Sequence, residues 1–352
     1  MTSPTVVNAR VYRFRLPLVR PFNVGSSVLT MREGLLLRCT DDKGVDAWGE
    51  ASPLPGFSKD TLDEAEKELR LIARDWARPN PSGSPSKGWS SAAVNASVQV
   101  RMWHTLQAAP ELPDETVEIA ALLEGDWEQL LRGAARAAER GCRVAKLKVG
   151  RKPLDEEISL TREVRTALGR SCRLRLDANR AWSLNDARAF LQGITRNPSD
   201  YHAPIDYLEE PLRNPGERNV LRNEFGIPIA LDETLLDEFG KGPTGKQKPP
   251  LADFWVWKPT CWAMPYHIAP GDKLPPRILS AAFESGVGTA LLAGLAAGSG
   301  RPAGLDTYSY LAEDVLEDRL PLDQPKVLLK TMLDASRRVD VSRLELLHEY
   351  TR

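Results

Sequence analysis

Charged and polar residues recur through the middle of this chain, each at the end of a short apolar run. Lys146 and Lys148 close RVAKLKVG, Asp177 and Asn179 close CRLRLDAN, and Glu209 closes DYLEEP. Asp232 closes IPIALDET, Lys258 closes FWVWKPT, and Ser280 and Glu284 lie in RILSAAFES. The steps from 148 to 177, to 209, to 232 and to 258 are 29, 32, 23 and 26 residues. Each is about one strand-plus-helix unit. If the runs are parallel strands of a barrel, their C-terminal ends converge on one mouth, and these distant side chains can meet.

Strand periodicity assigns the faces. Lys146 and Lys148 share a side, as do Arg175, Asp177 and Asn179, and as do Phe254, Val256 and Lys258. Trp255 and Trp257 then point to the helix layer as packing residues. Glu210 and Glu233 face away from the mouth on the same reasoning and read as ion-paired structural residues. Arg175 faces the mouth, either for the site or to pair with a carboxylate. Glu284 reads either as a partner for a lysine or as a strand-end charge in water.

Lysines aimed into a barrel are costly unless anions or a polar ligand compensate them. Asp177, Glu209 and Asp232, with no histidine or cysteine beside them, suit a hard, oxygen-preferring cation such as Mg²⁺. Cations and carboxylates at one mouth explain each other, and together they suit abstraction of a proton α to a carboxylate. A divalent ion disperses the charge of the resulting enediolate, and an ammonium adds to the effect. A lysine whose pKa is lowered by neighbouring positive charge can be the base. Lys146, Asn179 and Ser280 are candidate substrate contacts at the same mouth. Taken singly these signals are bland: KxK is usually a solvated strand edge, EEP a turn or helix start, and DAN a cap or turn. Their order and spacing carry the functional reading.

The elements that must position these residues fall into two grammars. Residues 6–50 read as strands, and Thr61 with Glu64 forms a capping-box pattern that opens a helix with Leu62, Ala65, Leu69, Ile72 and Trp76 on its apolar face. A Pro/Ser/Gly-rich stretch, ARPNPSGSPSKG, precedes a second helix near 91–107. Strands followed by helices predict an α+β capping domain over 1–112. From about residue 117 strands and helices alternate, beginning with VEIAALLEG as one strand. Gly169 is placed to end one helix and Ser183 to cap the next. This predicts an α/β protein with a modified TIM (β/α) barrel over 113–310 and a segment 311–352 packing back on the cap. An open doubly wound sheet is the runner-up, without a GxGxxG to support it. The Pro-rich segments 241–250 and 261–276 predict a degraded helix ring there.

The 352 residues are 42% apolar and 27% charged with formal net charge −1, ordinary for a globular protein with a sizeable core. No long basic run argues for nucleic acid, and no stretch reaches the ~20 apolar residues of a membrane span or forms a signal core. Cys39, Cys142, Cys172 and Cys261 form no CxxC pair, and the four histidines no HxxxH, so reduced thiols are expected. The expectation is a cytoplasmic protein with a small-molecule carboxylate substrate, no nucleic-acid or membrane partner, and no indication of a homo-oligomer.

AKLKVG resembles the KxK motif of the enolase superfamily's muconate-cycloisomerase-like group. LRLDAN, YLEEP and ALDET resemble its three metal-ligand strands, and WKPT its strand-six lysine. Within that group WGEASPLPGFS, FESGVG and AGLDTYSYLAED are similar to o-succinylbenzoate synthases, and the resemblance spans nearly the whole chain. It implies that Lys148 is the acid/base, Lys146 its electrostatic partner, Lys258 the enediolate-stabilising cation on the substrate's other side, and Asp177, Glu209 and Asp232 the Mg²⁺ ligands. It also implies a cap closing over the mouth through RPFNVGSS and PLPGFS, and syn dehydration of a succinyl-hydroxycyclohexadiene carboxylate in menaquinone biosynthesis. Two departures, Ser280-Ala281-Ala282 for a serine run and Cys261-Trp262-Ala263 for a Gly-rich turn, fall near the expected substrate tail. An N-acylamino acid racemase or dipeptide epimerase on the same scaffold is the alternative enzyme, and a catalytically dead binding barrel the non-enzyme alternative.

Overall fold

The computed structural model describes residues 5–24, 27–79, 89–108, 114–195, 203–239, 250–263 and 274–352. Its first sheet is antiparallel. β1 (Val6–Val24) and β2 (Ser27–Asp41) form a long hairpin, and β3 (Asp46–Ala51) adds beside β2. Pro21 lacks the amide a ladder needs, and it falls in the register break between Pro17 and Phe22. α1 (Leu62–Trp76) and α2 (Ser91–Ala108) pack on this sheet. The Thr61 hydroxyl accepts from the Glu64 amide, and the Glu64 carboxylate accepts from the Thr61 amide at 2.8 Å, completing the predicted capping box. Gly49 lets α2 lie close, since a Cβ there would come 2.0 Å from the Ala96 carbonyl oxygen.

Strand–helix alternation follows. β4 (Thr116–Glu118) and β5 (Ala121–Leu123) precede α3 (Trp127–Glu139), then β6 (Val144–Lys148), α4 (Leu154–Leu168), β7 (Arg173–Asp177) and α5 (Leu184–Thr195). Next come β8 (Ile205–Glu209), α6 (Arg218–Phe225), β9 (Ile229–Leu231), α7 (Glu233–Phe239), β10 (Phe254–Trp257), β11 (Arg277–Leu279) and α8 (Gly286–Ala296). β5 to β11 form one seven-stranded parallel sheet whose spatial order is its sequence order. A doubly wound sheet would reverse that order at a switch point, so the sheet is singly wound. It is open and curled, and Ala303–Gly304 spans the gap by bridging Ile119 on one side and Ser280 on the other. The amides of Ala120 and Ala281 donate to the carbonyls of Ala303 and Gly304 at 2.9 and 2.8 Å. The architecture is therefore α/β, a modified (β/α) barrel capped by the N-terminal β/α elements.

After the barrel, β12 (Lys326–Leu328) pairs antiparallel with β4, α9 (Leu329–Ser336) packs against α8, and β13 (Glu345–Thr351) pairs antiparallel with β1 at the cap's outer edge. The expected boundary at 112/113 lies outside the described residues, as do most of the Pro-rich segments 241–250 and 261–276. Two runs differ from their reading. VEIAALLEG splits into β4 and β5, because its first half pairs with β12 and only its second half with β6. RILSAAFES is strand only to Leu279, and the backbone turns at Phe283, whose φ is +62°. All four cysteines are unpaired and buried. No helix among the described residues is long and apolar enough to cross a membrane.

Cap and barrel meet through buried polar groups. Arg32 of β2, 1% exposed, donates to the carbonyls of Glu33, Pro53 and Phe283 at 2.9, 2.9 and 3.1 Å, and to that of Ser52. Glu50 of β3 accepts from the Ser52 and Ser285 hydroxyls and from the Ser285 and Gly288 amides at 3.0 and 2.9 Å. Glu284, beside them, accepts from the Ala282 amide through Oε2, while its buried Oε1 has no partner. Burial, then the Glu50 carboxylate, pushes Glu284 up to about 7 against the pull of Arg32.

The sign of that shift sets a test. In the unfolded chain Glu284 titrates near about 4.3, so the fold holds its proton more tightly. The resulting stability is complete below that pH and is lost as pH rises to about 7, an effect on the order of 2–4 kcal/mol. Glu284→Gln removes this titration. Its thermal midpoint should rise relative to the parent protein between pH 5 and pH 8. A constant gap across that range would show that Glu284 is ionised in the fold.

Candidate active site

The C-terminal ends of β6 to β11 open into a cavity of about 530 Å³. Parallel register places Lys148 beside Asp177 and Asp177 beside Glu209. Glu209 pairs with Ala230, two residues before Asp232. The three carboxylates therefore come from adjacent strand ends, and each is at most 2% exposed. Lys146 and Lys258 enter the same ring from β6 and from just beyond β10. Lys146, Lys148, Asp177, Asn179, Lys258 and Ser280 all line the cavity. Ser280 lies beside Gly304 in the bridge that spans the barrel gap.

The three lysines differ in electrostatic state. Lys146 Nζ lies 2.9 Å from Asp177 Oδ2 and 2.9 Å from each Glu209 oxygen. Burial alone would lower its pKa, but these carboxylates outweigh burial and hold it well above its usual value. Lys258 donates to Asp232, and again the carboxylate overcomes burial and raises the lysine. Lys148 has no hydrogen-bond or ion-pair partner among the described residues. Burial lowers its pKa, and Lys146, Arg151 and Lys258 reinforce the shift against the pull of Asp177.

The carboxylates respond in kind. Asp177, opposed by burial but faced by Lys146 and Lys148, is held down at about 2. Burial and then Asp177 raise Glu209 to about 7, and burial with Glu233 raises Asp232 to about 6 against Lys258. Asp232 Oδ1 is buried without a partner. Among the described residues no three acidic, histidine or cysteine side chains stand close enough together to hold a metal ion. Two ammonium groups sit among the carboxylates instead. The donor set nonetheless fits a hard divalent cation: three carboxylates on neighbouring strand ends, oxygen atoms throughout, one of them buried and unpartnered.

Aromatic residues of the cap reach over this ring on two sides. Phe22 of β1 lies 5.9 Å from Lys148 Nζ, and Phe57, beyond β3, lies 4.3 Å from Lys258 Nζ. Phe22 also packs against Phe283 and Tyr310, with ring centroids 4.8 and 5.1 Å away. Arg32 holds the carbonyl of Phe283, so the cap–barrel junction and the cavity wall share a residue. The RPFNVGSS and PLPGFS segments thus meet the mouth through Phe22 and Phe57; Gly25 and Ser26 lie outside the described residues.

Neighbouring residues resolve less uniformly. Arg175 pairs with Asp206 at 2.9 Å and donates to the Pro302 carbonyl at 2.9 Å. Glu210 accepts from the Asp232 and Thr234 amides at 2.9 and 2.7 Å and pairs with Arg180 at 3.1 Å. Trp255 packs outward on Phe239 and Trp262, while Val256 packs inside with Tyr207 and Ile278. Glu284 is neither a lysine's partner nor in water. Glu233 corrects the face assignment. It lines the cavity, accepts from Asn179 Nδ2 at 2.8 Å, and keeps a buried, unpartnered Oε2. Strand alternation fails there because β9 ends at Leu231 and α7 starts at Glu233.

Comparison with known proteins gives the chain's family and its fold relatives. Residues 6–101 match the family MenC, N-terminal domain, and residues 129–239 match the family Enolase C-terminal domain-like. The o-succinylbenzoate synthase of Klebsiella pneumoniae (strain 342) is 34% identical over 230 residues, covering 64% of this chain and 67% of that protein. The o-succinylbenzoate synthase of Salmonella agona (strain SL483) is 35% identical over 229 residues, covering 65% and 67%. A dipeptide epimerase from Enterococcus faecalis V583, solved with Mg and the dipeptide L-Leu-L-Tyr, superposes with a TM-score of 0.73 at 19% identity, covering 92% of this chain and 97% of that one. An o-succinylbenzoate synthase from Thermosynechococcus elongatus BP-1, solved with Mg in the active site, superposes at 0.61 with 23% identity, covering 82% and 89%. These superpositions speak to the fold, and the sequence matches to the family. The chain belongs to the o-succinylbenzoate synthase family of the enolase superfamily.

Proposed function

We propose that this protein dehydrates 2-succinyl-6-hydroxy-2,4-cyclohexadiene-1-carboxylate to o-succinylbenzoate, with Lys148 as acid/base. The observation that carries the reading is the division of labour among the three mouth lysines. Two are tied to carboxylates and kept protonated, and the third is unpaired with its pKa lowered. An unpaired amine facing the cavity with a lowered pKa suits a base.

Lys148 takes the proton α to the ring carboxylate, and the C–H electron pair moves into the enediolate. As that pair returns, the neighbouring C–O bond breaks and the Lys148 ammonium protonates the departing hydroxyl. Water leaves, the ring becomes aromatic, and the lysine is neutral again. Both transfers occur on one face, so one lysine suffices. Lys258, arriving from the β10 side of the ring, supplies a fixed positive charge to the other face. Lys146 adds charge between Asp177 and Glu209 and helps lower the Lys148 pKa. Asn179 and Ser280 contact the substrate from the cavity wall, and Phe22 and Phe57 exclude water. Asp177, Glu209 and Asp232 would hold Mg²⁺, which when bound supplies electrophilic stabilisation of the substrate carboxylate. A two-base racemisation or epimerisation fits less well, because Asp232 keeps Lys258 protonated and so poorly suited to accept a proton.

Lys148→Ala should abolish both dehydration and exchange of the α proton with solvent deuterium. Dehydration near the parent rate in that variant would overturn the mechanism. Lys258→Arg keeps charge but replaces a point ammonium with a planar fork, and turnover should fall at least ~10²-fold, the order associated with losing one preorganised group. Full turnover in Lys258→Ala would reduce that residue to packing.

The metal assignment has its own readout. Asp177→Asn, Glu209→Gln and Asp232→Asn should each weaken calorimetric Mg²⁺ binding and remove turnover. Full activity in protein stripped with EDTA would rule the assignment out.

A further inference from the structure

Five cationic side chains line the cavity among the described residues: Lys146, Lys148, Arg151, Arg175 and Lys258. Four already have a task. Lys146 and Lys258 are bound to the carboxylate ring, Arg175 is bound to Asp206 and the Pro302 carbonyl, and Lys148 is the proposed base. The fifth, Arg151, is exposed, and its guanidinium has no hydrogen-bond or ion-pair partner among the described residues.

Its backbone, by contrast, is held in place. Glu157, 2% exposed, accepts from the Gly150 amide at 2.7 Å and from the Arg151 amide at 3.2 Å. Gly150 has φ +80°, and a Cβ there would come 2.4 Å from the Ala181 Cβ, so the turn demands glycine. The chain leaves Lys148 through this pinned turn and presents Arg151 on the rim three residues later. Glu124 also lines the rim and would repel an anion, but its carboxylate is engaged by Arg20 at 3.1 Å.

The proposed substrate is a dicarboxylate. Its ring carboxylate must lie by Lys148 for the adjacent proton to be abstracted, which leaves the carboxylate at the end of the succinyl tail without a counterion at the cavity floor. We propose that Arg151 binds this second carboxylate and selects for acyl tails that end in one. The inference rests on the dehydration reading above and adds the source of tail specificity. A guanidinium that no protein group occupies and whose backbone is fixed can form a bidentate pair with an incoming carboxylate.

The test uses Mg²⁺-loaded protein and two ligands: o-succinylbenzoate, and 2-butyrylbenzoate, in which a methyl replaces the tail carboxylate. The parent protein should prefer o-succinylbenzoate by roughly two- to fivefold, the range for a charge pair that stays in contact with water. Arg151→Gln should erase that preference while leaving 2-butyrylbenzoate affinity in place, and Arg151→Lys should keep part of it. In turnover the Arg151→Gln loss should fall on KM rather than on kcat. A preference that survives intact in Arg151→Gln overturns this assignment alone. A parent protein that binds neither compound and turns over no substrate overturns the dehydration reading, and this assignment with it.

Discussion

Three buried carboxylates on neighbouring strand ends cannot coexist without compensating positive charge, and the rest of the site follows from that constraint. Asp177 and Glu209 sit in direct register, with Asp232 two residues past the next strand contact. Isolated ionised carboxylates at such depth would neutralise or force the structure apart. Lys146 and Lys258 supply the charge here, the first shared between Asp177 and Glu209 and the second on Asp232. A divalent cation would meet the same demand, and one bound here would have to compete with the ammonium groups for the same oxygen atoms.

The pairing of those carboxylates with Lys146 and Lys258 gives the unpaired lysine its character. Lys148 lies in the same ring, but the neighbouring carboxylates are already engaged, so burial and nearby cations dominate its environment. The cap strengthens the effect by removing water. Phe22 and Phe57 arrive from sequence far from the barrel strands and sit over Lys148 and Lys258. The cap is held to the barrel by Arg32 and Glu50, whose bonds run to Phe283, Ser285 and Gly288 beside the cavity wall. Electrostatics at the floor and packing at the roof thus act on one small volume.

Much of this was legible in the chain itself, because period-two alternation and βα spacing report strand ends directly. Lys146, Lys148, Asp177, Asn179, Lys258 and Ser280 were placed at one mouth by those rules alone, and α1 with its Thr61–Glu64 cap by local hydrogen-bond chemistry. Glu233 escaped because alternation holds only inside a strand, and the helix begins one residue after Asp232. Ala303–Gly304 escaped because a two-residue bridge has no period to read. The pairing of β13 with β1, and of Arg32 with Phe283, joins residues hundreds apart in sequence, and no local pattern announces such contacts. The roles of the lysines came from family resemblance; the electrostatic contrast among them is visible only in three dimensions.

The proposed competition between ammonium and metal is open to one direct measurement. Lys146→Gln removes the positive charge shared by Asp177 and Glu209 without adding another. Calorimetric Mg²⁺ titration at pH 8, on variant and parent proteins shown to be folded, compares the two affinities. The charge balance described here predicts tighter Mg²⁺ binding by the variant, by at least about tenfold. Equal or weaker binding would contradict it, and would mean that the three carboxylates are not a shared site for lysine and metal.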